Sequence, residues 1–433
     1  TLEALTALVP PAAGFLIALQ ASAEQRRDIL RFILLMALVS AMLAILQLSA
    51  GPGAAPVLFD TRHRGFGVGL FVNRNHLALF LLLAILIASL PGITGRGKKE
   101  KSSRSVEWGL RSACLLLLSL GVLATLSRTG AFLLPITIIA SILINRRNKF
   151  KWRTVVVGAL LGGFCAFALQ FAPPVQALFE RYTTAADDKR FEFWANTLVA
   201  VRDAFPLGTG FGTFTLIYPT VEPLAELTPD IVNHAHNDFL ELILEAGLLG
   251  VVLLIAWLAA VALLAVRAGK SAQHRRERLL PIIVAVATGL VVIASVVDYP
   301  LRMNTIAVTM ALLIGMLLPI CQRLECAPSK RKWVLLVPLL LLAILTGATQ
   351  AARSFFHVGG AVIAPWSAQL QSRQASHFQM AGDFTQASLA ARRALAISPL
   401  DPQAVRVEGM SALSLGRSDQ GAQLLSLGAS LGW

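Results

Sequence analysis

Ten apolar runs, most of them about as long as a membrane-crossing helix, alternate along the chain with short stretches rich in Lys and Arg. They fall at about residues 3–20, 30–50, 67–90, 109–127, 131–144, 154–172, 238–266, 279–297, 304–321 and 333–349. Backbone in hydrocarbon must satisfy its own hydrogen bonds, so the pattern predicts an all-α, polytopic membrane protein of about ten transmembrane helices. Within this frame Pro10 and Pro11 are expected to break the first run. Composition agrees: 56% of the 433 residues are hydrophobic and 14% charged, with a mean hydropathy of +0.68, outside the range of a soluble domain.

The net charge of +14 resides in loops such as RGKKEKSSR (96–104), NRRNKFKWR (145–153) and RAGKSAQHRRER (267–278). That is the positive-inside signature of cytoplasmic loops, not a nucleic-acid footprint. Alternating sides from loop to loop puts every basic segment in the cytoplasm. The opposite face then receives the Ser127–Arg128–Thr129 tip, a large periplasmic loop at 173–236, the segment from Asp298 to Arg302 and the tail. The four cysteines, Cys114, Cys165, Cys321 and Cys326, show no CxxC spacing and read as buried thiols. The chain opens on Thr1 without a signal peptide, and further sequence before it is expected.

Two domains follow: a transmembrane domain over 1–350, and a tail over 351–433 where Gly382 and Gln386 recur 34 residues later as Gly416 and Gln420. That period is expected for a TPR-like module of helix pairs, which would recruit a protein partner or cap the membrane domain.

The polar feature that stands out is NHAHNDFLELILEAGLLG, from Asn233 to Gly250. Phe239, Leu240, Ile243, Leu244 and Gly247 follow helical spacing, whereas Asp238, Glu241 and Glu245 share another face. Glu245 lies about 10 Å below the helix start, where an unpartnered charge is costly. Both glutamates are expected to pair with arginines of other helices. The glycines of PLGTGFGTF (206–214) lack the strand-helix unit of a dinucleotide fingerprint and suggest flexibility or close backbone packing. Asp187 and Asp188 lack the further carboxylates a metal site needs, and no metal or other cofactor is expected.

His236–Asn237, followed after nine residues by Gly247–Leu248–Leu249–Gly250, resembles the motif of the O-antigen ligase and polymerase superfamily of membrane glycosyltransferases. The order of SRTG (127–130), RFEFW (190–194), GTGFGTF and AHNDFLELILEAG is similar to that superfamily too, over about residues 65–255. The resemblance implies a GT-C-like membrane enzyme of the bacterial inner membrane, with its active site facing the periplasm. It implies transfer of a glycan from an undecaprenyl diphosphate carrier to an acceptor hydroxyl, without metal or nucleotide sugar. The acceptor is lipid A core, a growing polysaccharide or a protein. On this pattern the family's outward arginines correspond to Arg128 and Arg190, and its histidine to His236. NRNH (73–76) replaces the plainer Asn-Pro-Asn of many relatives.

The chemistry fits those residue types. Two phosphates leaving a sugar need fixed cations, and a guanidinium stays charged while gripping phosphate oxygens with two parallel bonds. Arg128 and Arg190 are therefore the candidates for the diphosphate, with Lys189 or Arg181 as alternatives to Arg190. An ordinary imidazole titrates near neutral pH, so His236 suits proton removal from the acceptor, or orientation of the diphosphate at the helix start beside it. Asn237, Asp238, Asn73, Asn75 and His76 are candidates for substrate contact; Asp238 either orients His236 or is a helix-start carboxylate. His234 is expected to point elsewhere, and Asp298 to pair with Arg302. An O-antigen or exopolysaccharide polymerase is the alternative function. A transporter or flippase would spread charges along a pathway through related halves, and a scaffold would leave His236 and the arginines without a role.

Overall fold

The computed structural model describes residues 6–54, 65–94, 103–145, 189–223, 232–322 and 368–430. The runs expected at 154–172 and 333–349, with Arg181, Asp187, Asp188, Cys165 and Cys326, lie outside them. Among the described residues every regular element is a helix. The chain divides into two compact units, Thr1–Gly212 with His234–Leu340, and Thr213–Asn233 with Leu341–Trp433.

The first unit contains α1 (Val9–Gln20), α2 (Ala23–Ala54), α3 (Arg74–Ala88), α4 (Ser103–Ala124), α5 (Arg128–Asn145) and α6 (Arg190–Ala204). After α7 (Phe214–Ile217), which belongs to the second unit, come α8 (Asp238–Ser271), α9 (Arg275–Val297), α10 (Asn304–Gly315) and α11 (Leu318–Gln322). Five segments are long and apolar enough to cross a bilayer: Ala23–Ala50, Val106–Ala124, Asp238–Ser271, Glu277–Val297 and Asn304–Cys321. Three shorter apolar helices, Val9–Gln20, Arg74–Ala88 and Arg128–Ile144, coincide with other expected runs. The first run is interrupted at Ala7–Leu8, just before Pro10 and Pro11, which sit in the first turn of α1, where a missing N–H removes no intrahelical bond.

The centre of this unit is α3. Every side chain from Leu77 to Ala88 is buried, against residues of α2, α4, α5, α9 and α10 in one continuous apolar core. A helix apolar all round belongs in such a position. Its 15 residues rise about 22 Å, less than a hydrocarbon core is thick, so neighbouring helices rather than lipid surround it. The outer faces carry large exposed apolar side chains, among them Phe32 and Leu46 of α2, Phe132 and Ile142 of α5, and Val252 and Ile255 of α8. Water is a poor neighbour for such a surface and lipid a good one, as expected for a multi-pass membrane protein.

In the second unit, α12 (Ala368–Met380) and α13 (Phe384–Ile397) form one helix pair, α14 (Pro402–Ser414) and α15 (Ser418–Ser430) another. The first helix of each pair ends at a glycine in the same left-handed conformation, Gly382 (φ 79°) and Gly416 (φ 77°). Buried Glu408 joins the pairs by accepting from Arg392 at 2.8 Å and Arg417 at 3.4 Å.

Candidate active site at one end of the helix bundle

Two short turns deliver the sequence-predicted residues to one end of the first unit. Ser127 caps α5 by accepting the Gly130 amide at 3.1 Å, and Arg128 follows as the first helical residue. Gly130 touches α3 closely: a Cβ there would lie 2.6 Å from Ala78 Cβ. Before α8, the Asn237 side chain accepts from the Phe239 and Leu240 amides at 3.0 Å, so its carbonyl oxygen is committed to capping. Asn73 does the same for α3, accepting from the Asn75 amide at 2.8 Å. Each turn contains a non-glycine residue in the left-handed region, Leu126 (φ 49°) and His236 (φ 51°), which costs on the order of 1 kcal/mol or more.

What holds His236 in that conformation is Asp298, which the sequence did not single out for this role. Asp298 is 4% exposed and follows the last residue of α9. Its Oδ1 accepts the Tyr299 amide at 3.0 Å and lies 3.3 Å from His236 Nδ1. Its Oδ2 accepts from Asn75 Nδ2 at 2.8 Å. His76, fully buried, has Nε2 3.7 Å from Oδ1, beyond hydrogen-bond reach. Arg190, at the start of α6, donates to the neighbouring carbonyl of Val297 at 2.7 Å. A small cleft connects Asn75, His76 and Asp298 with Thr129 and Gly130, the two residues after Arg128. Of the predicted site, His236, Arg190, Asn75 and His76 thus meet around Asp298, and Arg128 adjoins the same cleft through α5.

The expected Asp298–Arg302 ion pair is not formed. Asp298 takes the histidines, and Arg302 turns toward α8, where it lies 2.9 Å from Glu245, 3.3 Å from Glu241 and 3.8 Å from Asp238. The glutamates pair with an arginine as anticipated, from a turn rather than a helix. Asp238 proves to be a helix-start carboxylate. It accepts from Ser295 at 2.8 Å and from the Leu301 amide at 3.1 Å, and does not bond to His236. His234 binds Glu241 at 2.9 Å. The Tyr299 ring packs against all three imidazoles, with centroids 4.1 Å from His234, 4.9 Å from His76 and 5.1 Å from His236. Asp298, Tyr299 and Arg302 share the short segment DYPLR between two spans, on the side already expected to hold the chemistry, and that placement was the available signal.

The electrostatics follow. Burial alone would raise the Asp298 carboxyl, but His236, His76 and Arg190 outweigh it and hold the group well below the carboxylate range. Burial, then the Asp298 charge, pushes the Tyr299 phenol up, so it stays protonated. An Asp298 carboxylate fixes the proton of His236 on Nδ1 and leaves Nε2 as the basic nitrogen. Among the described residues no group of His, Cys, Asp and Glu is arranged to hold a metal ion.

Two predictions arise here. A group whose folded pKa is depressed contributes stability above its unfolded pKa, about 3.9 for Asp, and loses it as pH falls through the folded value. Wild-type protein is therefore expected to lose thermal stability below about pH 4. Asp298→Asn should be less stable at pH 7 and should lack that part of the acid-dependent loss. An equal acid slope in both proteins contradicts the assignment. Arg302→Gln leaves three carboxylates without their cation, and is expected to cost about 2–3 kcal/mol in detergent unfolding. The figure is below that for a fully buried pair because the Arg302 side chain is 27% exposed.

The His-to-glycine spacing also has a structural basis. At Gly247 (φ 56°, ψ −142°) α8 breaks and restarts, and Pro206–Gly210 fills the gap. The Thr209 amide donates to Leu244 O at 2.9 Å, the Gly210 amide to Glu245 O at 2.8 Å, and the Leu248 amide to Pro206 O at 2.9 Å. The carbonyls and amide released by the break are thereby satisfied. Close backbone packing, one of the two readings of the loop glycines, is what Gly208 does against Gly247: a Cβ on Gly208 would lie 2.6 Å from the Gly247 nitrogen.

Residues 113–255 match the family model described as O-antigen ligase (Wzy_C). The match runs from α4 through the Arg128 turn and Arg190 to the part of α8 just beyond the break. No curated protein matches the chain.

Proposed function

We propose that this chain, placed in the O-antigen ligase/polymerase family by its domain at residues 113–255, transfers a glycan from an undecaprenyl diphosphate carrier to an acceptor hydroxyl. The transfer takes place at the periplasmic face of the bacterial inner membrane. His236 Nε2 removes the acceptor proton while Asp298 holds Nδ1–H. The acceptor oxygen bonds to the sugar carbon, the bond from that carbon to the diphosphate breaks, and the electron pair leaves on the diphosphate. Arg128 and Arg190 stabilise the charge that develops there, so no metal is called for. Asn75 and His76 shape the cleft, Asn73 sets the start of α3, and Asn237 and Asp238 set the start of α8. The observation that carries this reading is the convergence of His236, Arg190 and the α5 start, all within the family-matched residues 113–255, on Asp298, which lies beyond them.

The acceptor in the favoured reading is lipid A core, which makes the chain an O-antigen ligase of lipopolysaccharide biosynthesis. The 34-residue recurrence in the tail favours a second reading, a polysaccharide polymerase whose TPR-like module recruits an assembly partner. The lipid-linked pool of a deletion strain separates them. Full-length unattached chains are expected for a missing ligase, single repeat units for a missing polymerase, and an unchanged pool would remove both.

A further inference from the structure

We propose that Arg302 is a positioning residue of this reaction: anchored on the carboxylates of α8, it holds the Asp298–Met303 turn where Asp298 meets His236. The inference rests on the reading of His236 as proton acceptor and assigns a purpose to the polar stripe of α8 beyond the ties of Glu241 to His234 and the Ala235 amide.

The turn between α9 and α10 is attached to α8 at three points. The Asp238 amide donates to Asp298 O at 3.2 Å. The Leu301 amide donates to Asp238 Oδ2 at 3.1 Å. Beyond them the Arg302 guanidinium crosses to Glu241 and Glu245, one and two helical turns into α8. The first two points are single hydrogen bonds near the mouth; the third is the only ion-paired one among the described contacts of this turn with α8. It spends both its Nε and its Nη2 on the stripe, a fork that lysine cannot reproduce. The ionisable groups around this anchor are Asp238, Glu241 and Glu245 of α8 and His234, itself bonded to Glu241. Asp298, Tyr299, His236, His76 and Arg190 gather at the other end of the turn. Arg302 contacts neither His236 nor the cleft in any described interaction, so its influence on the reaction passes through the turn. With the anchor removed, Asp298 is held by weaker ties, and displacement of a catalytic contact by about 1 Å costs up to about 100-fold in rate.

The test must separate this from a plain loss of stability, because Arg302→Gln alone leaves buried charge behind. The informative protein is the neutral triple variant Arg302→Gln, Glu241→Gln, Glu245→Gln, which removes cation and anions together. Full-length proteins in nanodiscs are given undecaprenyl diphosphate-linked glycan extracted from the deletion strain, together with the host's lipid A core fraction, and release of undecaprenyl diphosphate is followed over a range of donor concentrations. The triple variant is expected to melt within a few degrees of wild type. Its turnover should fall about 10- to 100-fold while the KM for the donor changes by less than about twofold. Arg302→Lys should fall between wild type and the triple variant. Wild-type turnover in a stable triple variant overturns the positioning role, as does a loss expressed only in KM. His236→Ala is run alongside: undiminished turnover there removes the underlying reading, whereas an inactive His236→Ala beside a fully active triple variant removes only this inference.

Discussion

His236→Ala is expected to remain in the membrane at the wild-type level and to lower glycan transfer by about 100- to 10,000-fold, the usual contribution of a positioned proton acceptor. The protein should survive because α8 keeps its own start: the cap is Asn237, not His236, and the left-handed backbone at His236 (φ 51°) already carries the Cβ that alanine retains. Activity should not survive, because no other described imidazole both bonds Asp298 and reaches solvent. His76 is 1% exposed, and His234 is engaged by Glu241. The effect is read in the native host as loss of the surface glycan beside a normal immunoblot of the membrane fraction. Wild-type surface glycan from the variant would exclude His236 as the base and leave a scaffold or a transporter as the better description.

Gly247→Ala should produce the largest loss of folded protein among single changes in α8. Its backbone lies at φ 56°, ψ −142°, a region closed to residues with a Cβ. That Cβ would fall 2.1 Å from Pro206 O and 2.7 Å from Leu207 C, both backbone atoms that no rotamer change can move. To relieve the overlap, Pro206–Gly210 must withdraw, and the carbonyls of Leu244 and Glu245 then lose their amide partners. Strain and unsatisfied buried groups together give an expected loss of more than about 3 kcal/mol. Gly289→Ala is the control: a Cβ there meets nothing within 4 Å, and alanine favours a helix interior by up to about 1 kcal/mol. Thermal unfolding in detergent should place Gly247→Ala far below wild type and Gly289→Ala at or above it. Equal melting of the two variants would refute the docking of the loop into the break.

These effects mark where reading residues in order succeeds and where it stops. Apolar runs and helix starts are properties of contiguous sequence, so α2, α4, α8, α9 and α10 could be placed from spacing alone, and the His236 motif stood out as polarity at the head of an apolar helix. Partner choice is a property of three-dimensional placement. Asp298 and Arg302 are four residues apart and of opposite charge, which made a mutual pair the economical guess. Each instead meets a partner more than fifty residues away, because the turn between them aims Asp298 at the mouth and Arg302 into α8. The seven-residue separation of Asp238 and Glu245 did announce a shared face, and the guanidinium that spans that face bears it out. The prolines of α1 were legible in the same way: the first run is interrupted at Ala7–Leu8, and proline suits the first helical turn that follows. By contrast, the glycines of residues 206–210 gave no sign of their target, since the break they fill is created by a single glycine some forty residues later.

The central claim is that fixed arginines at this mouth stabilise a departing lipid diphosphate. The most direct test is the release of undecaprenyl diphosphate by purified protein in nanodiscs supplied with the lipid-linked glycan, its acceptor fraction and a chelator. Wild type is predicted to release it at an undiminished rate in the chelator, and Arg128→Gln and Arg190→Gln each to lower that rate by about 100-fold or more. Release from both arginine variants at the wild-type rate would contradict the account.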